Sequence, residues 1–245
     1  MPRANRYILP GFTYHITHRC HNRSFLLRFA LDRDVYRKML RERLQAFPVS
    51  LFTYCITSNH VHLLVRVRDG REATLGEFMQ SLAGDFAQHY NLRKKRHGAF
   101  WGDRYHAVMV DSGPYFWDCL RYIDLNMVRA GAVAHPKEWS WCGCQELLGI
   151  KKRNRLVDVA ELLYRVGDGI SLDGFRTEYS ESLETALSVR DLNRDARWTE
   201  SLAVGSRSFV EEVGDQIPNR MQVVKEPVDG VSNSWIVRED REVWG

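Results

Sequence analysis

Residues 60–67 read His-Val-His-Leu-Leu-Val-Arg-Val, and this octet limits the fold more than any other stretch of the chain. In an extended strand, successive side chains point to opposite faces of the sheet. Val61, Leu63, Val65 and Val67 then make one wholly apolar face. His60, His62, Leu64 and Arg66 make the other, which begins polar. The apolar face needs helices packed against it, and the chain around the octet supplies them.

Phe12 to Arg19 is rich in β-branched and aromatic residues and reads as a first strand, closed by the polar His21–Arg23. Asp32 to Phe47 follows with Val35, Met39, Leu40, Leu44 and Phe47 at helical spacing, and Pro48 stops it. Val49 to Thr57 is a second strand, joined to the octet by a Ser58-Asn59 turn. Leu75 to Arg93 is a second helix, with Phe78, Leu82, Phe86 and Tyr90 four apart. Arg104 to Asp111 is a fourth strand, and Pro114 to Ala130 a third helix ending at Gly131. The order β-α-β-β-α-β predicts an α+β fold: a ferredoxin-like antiparallel sheet with two helices on one face, plus a further helix. Nucleic-acid modules use this plan, although the plan alone does not fix a function.

Beyond Trp139-Ser140-Trp141 the composition changes. The basic run Lys151–Arg155 reads as a linker or domain edge, giving residues 1–150 as one domain. Residues 151–245 are expected to be mostly helical, a second DNA-binding, dimerisation or regulatory module, with helices over Val157–Val166 and Leu172–Leu187. Arg197 to Ile217, with a turn-like segment over Val204–Phe209, suggests a further helical pair, and the last ~25 residues look loosely structured. The net charge of +4 hides an asymmetry: residues 1–150 hold 21 Lys+Arg against 13 Asp+Glu, and residues 151–245 hold 14 against 18. A basic first half suits a polyanion, since neutralised phosphates release condensed counterions. The five cysteines (Cys20, Cys55, Cys119, Cys142, Cys144) have no spacing for a zinc site and read as buried thiols. With no long apolar run and no secretory leader, the expectation is a soluble cytoplasmic protein.

His60-Val61-His62 carries the chemistry. Two imidazoles at i and i+2 of a strand share a face about 6–7 Å apart and can converge on one divalent ion, although such a triplet also arises by chance. The third helix adds weight. Stepping about 100° per residue, Tyr115, Asp118, Asn126 and Arg129 fall within about 40° of Tyr122. Phe116, Leu120, Ile123 and Met127 occupy a separate apolar arc. His15, His18 and His106 are candidates for a further ligand or a general base, or are ordinary strand residues.

These residues together resemble a known pattern. His60-Val61-His62 after a turn, Trp101 with Arg104-Tyr105, Tyr14 to Arg19, and Tyr122-Ile123-Asp124-Leu125-Asn126 running to Val128-Arg129-Ala130-Gly131 resemble the single-tyrosine HUH transposases of small insertion sequences. Among these the likeness is to the REP-associated tyrosine transposases, over about residues 5 to 149. Met127 stands where that group usually has proline after the asparagine. The resemblance implies a divalent metal, Mg²⁺ or Mn²⁺, on His60, His62 and Asn126, with Tyr122 as nucleophile. It implies a single-stranded DNA endonuclease and strand-transferase acting near hairpin or palindromic repeats through a 5′-phosphotyrosine, as a monomer or homodimer in the bacterial nucleoid.

For DNA contact the expected cations are Arg19, Arg23, Arg66, Arg93, Lys94, Lys95, Arg96, Arg104 and Arg129, with Arg3 and Arg6. Trp101, Tyr105 and Phe100 are expected to stack on unpaired bases at ~1–3 kcal/mol each. Two other readings compete. One is a catalytically silent hairpin-binding regulator with the same fold, against which the intact His60, His62, Tyr122 and Asn126 set argues. The other is a relaxase or rolling-circle initiator, which would call for paired tyrosines or a third metal histidine. Tyr115 is the rival nucleophile, but Cys119 stands where an oxygen ligand would be needed.

Overall fold

The computed structural model describes residues 8–68, 70–167, 169–189, 193–217, 223–228, 230–231 and 233–239. Arg3 and Arg6 lie outside the described residues. The elements follow the expected order: β1 (Thr13–Arg19), α1 (Ala30–Ala46), β2 (Val49–Ile56), β3 (His60–Val67), α2 (Glu72–Arg93) and β4 (His106–Val110). These four strands pair antiparallel in the order β2-β3-β1-β4. A shift of register between Leu51 and Thr53 marks a bulge in β2. It turns Phe52 and Cys55 to one face of the sheet while Leu51, Tyr54 and Ile56 stay on the other.

The third helix is two segments, α3 (Pro114–Asp124) and α4 (Asn126–Arg129), where the periodicity predicts one. The change falls at Leu125, whose ψ is 0°. Asp124 immediately before it is fixed to β2 and to a later helix by its buried carboxylate, so the chain there follows the core. Gly131, with φ of 67°, ends α4 as expected of a C′ residue.

The rest of the chain gives α5 (Cys144–Leu147), α6 (Val159–Val166), α7 (Leu172–Ser188), α8 (Arg197–Glu200), β5 (Ala203–Gly205), α9 (Arg207–Gln216), β6 (Val223–Pro227) and β7 (Trp235–Glu239). Asp158, Ser171 and Ser206 cap α6, α7 and α9 with their side chains. One expectation is extended and one corrected. The Arg197–Ile217 segment holds the helical pair α8 and α9, and between them β5 pairs parallel with β4. A side chain at Gly205 would collide with Phe209 and Asp111, so the glycine that looks like a turn signal is a close approach inside the sheet. The last ~25 residues include β6 and β7, an antiparallel pair carrying Trp235, Ile236 and Val237 into the packing.

One seven-stranded sheet results, in the order β2-β3-β1-β4-β5-β7-β6. Residues on both sides of position 150 therefore share a sheet. The Lys151–Arg155 run is pinned rather than loose: Arg37 and Arg41 bond to Asn154, and buried Glu146 accepts from the amides of Leu156 and Val157. The apolar face of β3 packs with α1, α2 and α9, through Tyr36, Leu40, Phe78, Leu82, Phe86 and Val210. The opposite face meets α3, α4, α6, α7 and α8. All five cysteines are buried free thiols. Among the described residues no helix is long and apolar enough to cross a membrane.

Candidate functional site

The strand register assembles the site. Arg19 of β1 pairs with His60 of β3, Thr17 with His62, and His15 with Leu64. On the other side of β1, Thr17 pairs with His106 of β4. Alternation thus sets His60, His62, His15, Thr17, Arg19 and His106 on the sheet face that α3 and α4 cover. His18 belongs to the opposite face, stacked on Trp101 at 4.0 Å between ring centroids.

Both octet histidines are held from behind through Nδ1. His60 Nδ1 lies 2.7 Å from Asn59 Oδ1 and 3.0 Å from Thr57 Oγ1. His62 Nδ1 lies 2.8 Å from His15 Nε2 and 3.2 Å from Thr17 Oγ1. Placing each ring proton on Nδ1 satisfies these partners and leaves both Nε2 atoms as lone pairs. Asn126 meets them there: its amide is 3.0 Å from His62 Nε2 and also bonds to His60. Burial holds His60 down to about 4, helped by the charge of Arg19. Burial likewise lowers His62 well below the usual imidazole value, followed by the neighbouring His60 and His15. His15 is held at about 3, by burial first and His106 second. All three are neutral at pH 7.

This arrangement fits a divalent ion. Metal-ligating histidines are neutral and have the second nitrogen fixed by an outer partner. A half-turn of the Asn126 amide exchanges its nitrogen for its oxygen at the same place. Among the described residues no cluster of three or more His, Cys, Asp or Glu side chains is placed to hold a metal, and the group that meets the two imidazoles is the Asn126 amide. Two imidazoles and one oxygen suit Mn²⁺ readily and Mg²⁺ less naturally.

Tyr122 comes to the same face from α3. Its ring lies 5.9 Å from His15 and 6.2 Å from His62, centroid to centroid. Arg129 stacks its guanidinium 4.3 Å over the ring and donates to the Tyr122 carbonyl. Trp198 of α8, 6.1 Å away, packs on it from the C-terminal region. Burial raises the Tyr122 phenol above its usual value, and the charge of Arg129 opposes the rise. Tyr115, the rival, sits seven residues earlier and donates its hydroxyl to the carbonyl of Asn233.

Beneath Tyr122 and Asn126, Asp124 is fully buried. Its carboxylate accepts from Thr53 Oγ1 at 2.6 Å, from Cys142 Sγ at 3.0 Å and from the hydroxyl of Tyr179. Burial raises it to about 6 despite these donors. The three contacts lock β2, residue 142 and α7 to the junction between the tyrosine and the asparagine. Asp124, Thr17 and Asn59 enter the sequence reading only as parts of motifs or a turn, and neither they nor Thr57 and Trp198 are singled out there as site residues. His15 and Thr17 carry the same i, i+2 signal as the octet, but pairing with β3 had to be seen.

The expected DNA contacts divide. Arg19 is half-buried beside His60, and Arg129 covers Tyr122. Arg23, Lys94, Lys95 and Arg104 are exposed, and Arg96 organises its own loop through Asn91 and Ala99. Arg66 is engaged by Glu161 at 2.7 Å and by the Gly11 carbonyl, and Arg93 by Asp32. The stacking expectation is corrected. Phe100 and Tyr105 are buried, and Trp101 is spent on His18 and on the Ala83 carbonyl, because all three close the α2 side of the sheet.

Comparison with known proteins agrees with the resemblance read from the motifs. Residues 9–126, which include the histidine pair, Tyr122 and Asn126, match the family described as "Transposase IS200 like". Among solved structures the chain is similar to that of a REP-associated tyrosine transposase bound to a REP hairpin, at 16% identity and a TM-score of 0.54, over 70% of this chain and 100% of that one. A second is the crystal structure of a putative transposase from Deinococcus radiodurans R1, at 19% identity and a TM-score of 0.35, over 45% of this chain and 85% of that one. At such identities the first likeness bears on the fold. No curated protein matches the sequence.

Proposed function

We propose that this chain is a metal-dependent endonuclease and strand-transferase of the single-tyrosine transposase type, acting on single-stranded DNA beside a hairpin. The observation that carries the reading is the meeting of His60, His62 and Asn126 beneath Tyr122, with both imidazoles held through Nδ1. A surface cluster of polar residues would not be buried, charge-neutral and braced in this way.

His60 and His62 through Nε2, with the Asn126 amide oxygen, would hold Mg²⁺ or Mn²⁺. Such an ion, when bound, polarises the scissile phosphate and offsets charge on the leaving oxygen. Tyr122 supplies the nucleophile. Its oxygen forms a bond to phosphorus as the phosphorus–O3′ bond breaks, giving a 5′-phosphotyrosine and a strand ending in a free 3′-OH. The phenol proton is lost during attack, and the leaving 3′-oxygen gains one. Because burial disfavours the phenolate, the charge of Arg129 over the ring, followed by that of Arg194, is what opposes the rise and favours the ionised form. The new phosphodiester preserves the energy of the old one, so a 3′-OH reverses the step without ATP. Residues 151–245 then complete the cover of the tyrosine through Trp198 rather than standing apart from it. The REP hairpin bound in the similar structure supports a hairpin as substrate, taken by a monomer or homodimer.

The test is incubation with end-labelled single-stranded hairpin DNA and Mn²⁺ or Mg²⁺, followed by denaturing electrophoresis. A covalent protein–DNA band that disappears with chelator is the expected result. Tight, metal-independent binding with no band on any hairpin would instead establish the silent regulator.

A further inference from the structure

Of the aromatics that the sequence offered for stacking, Phe100 and Tyr105 are buried and Trp101 is half-buried against His18, whereas two that it did not offer are exposed. Phe25 and Phe29 show 65% and 48% of their surface, just before and at the start of α1. Cations surround them. The Arg28 guanidinium lies 4.5 Å from the centroid of the Phe29 ring, and the Lys94 ammonium at the end of α2 lies 4.8 Å from it. Arg23 and Lys95 are exposed, each at positive φ. Among the described residues none of these four cations forms an ion pair, whereas Arg93 between them is taken by Asp32.

The patch is tied by hydrogen bonds to the turn that borders the candidate active site. Asn59 Nδ2 donates to the Arg23 carbonyl at 3.1 Å, and Asn59 Oδ1 accepts from His60 Nδ1 at 2.7 Å. The Leu27 amide bonds to the Ser58 carbonyl at 2.9 Å. The segment that carries the two phenylalanines is thus tied to the turn that positions the first metal-binding histidine.

We propose that Phe25 and Phe29 form a stacking platform for unpaired nucleotides adjoining the cleavage site, with Arg23, Arg28, Lys94 and Lys95 taking their phosphates. Single-stranded nucleic acid offers both halves of what this surface lacks, π-faces for the rings and anions for the rim. A second copy of the chain is a poor occupant, since an isologous contact would set the four cations against their own counterparts. The inference rests on the function proposed above, and it deepens that function by giving the strand a path out of the site.

The experiment measures binding rather than chemistry, by fluorescence anisotropy with chelator present. Two labelled DNAs are compared, a blunt hairpin and the same hairpin with a single-stranded extension. Phe25→Ala/Phe29→Ala is expected to weaken binding of the extended hairpin roughly ten- to a hundredfold. Binding of the blunt hairpin should change less than about twofold, and Phe25→Trp/Phe29→Trp should restore the loss. Both side chains are exposed, so the variants should melt like wild type. Equal weakening on both DNAs, or none on either, overturns the platform. A shift from dimer to monomer in sedimentation, without a change in DNA binding, assigns the patch to a second copy and also overturns it. Wild type that binds neither DNA sinks the proposed function as well. A platform that behaves as expected in a protein that never cleaves leaves the inference standing and removes only the catalytic reading.

Discussion

The two faces of the sheet are built from alternate residues of the same strands, and they have opposite characters. On the α1 and α2 side, Val61, Leu63, Val65 and Val67 meet a dry core of aromatic and aliphatic side chains. One residue out of phase, His60 and His62 meet Tyr122 and Asn126, with His15, Thr17 and Arg19 packed alongside. The dry face is almost wholly apolar where β3 meets the helices, and it supplies rigidity. The other face spends that rigidity on holding three neutral imidazoles in an environment that would expel a charge. A one-residue slip of β3 would exchange the two faces, so register is the property on which fold and chemistry both depend.

Substitutions on each face should separate the two roles. The largest effect belongs to the polar face: His62→Ala should lower DNA cleavage by at least about a hundredfold and remove Mn²⁺ binding in calorimetry. The melting temperature should shift little by comparison, and normal cleavage by this variant would remove the metal site. On the dry face, Leu63→Ala should destabilise the protein by about 2–5 kcal/mol in urea unfolding. Cleavage by the fraction still folded should be unchanged, and a selective loss of activity there would blur the distinction drawn here.

Asp124 belongs to both roles. Asp124→Asn keeps the shape but weakens its acceptor bonds to Thr53, Cys142 and Tyr179, at a cost of about 1–3 kcal/mol. Since the carboxylate fixes the junction between Tyr122 and Asn126, kcat should fall with KM nearly constant. A rise in KM alone would place its role elsewhere.

Acid should act on the metal-free protein in a direction that the shifts decide. His15, His60 and His62 have folded values below 6.5, so the unfolded chain binds more protons and stability falls as pH drops from about 6.5 toward 4. Asp124, raised to about 6, works the other way, since its folded form holds a proton between about 3.8 and 6. Three imidazoles against one carboxyl give a net loss on acidification, measurable as a falling melting temperature in chelator. A flat or rising profile would mean that the histidines are less buried than described. The smallest effect is Arg66→Ala: with its guanidinium committed to Glu161 and Gly11, hairpin affinity should change less than about twofold.

Much of the fold was legible because strand alternation and helix spacing are local. The octet, the helix with Phe78, Leu82, Phe86 and Tyr90, and the β-α-β-β-α-β order all follow from side chains a few positions apart. What was not legible depended on distant partners. Gly205 looked like a turn because its role is to let Phe209 and Asp111 approach. The final hairpin looked loose because Ile236 and Val237 find their neighbours only in the completed sheet. At the site, the i, i+2 histidines and the Tyr122–Asn126 spacing were visible. The bracing of His62 by His15 and Thr17 was not, for it requires the β1–β3 register. Phe100, Trp101 and Tyr105 misled for a related reason: aromatics beside positive charge read the same whether they face solvent or core.

The central claim is that Tyr122 becomes covalently joined to DNA over the histidine pair. Its most direct measurement is peptide mass spectrometry on the adduct trapped with a hairpin substrate and Mn²⁺. The account predicts a nucleotide phosphate on the peptide containing Tyr122, absent from Tyr122→Phe. A phosphate on Tyr115 or any other residue, or an adduct that persists in Tyr122→Phe, would contradict it.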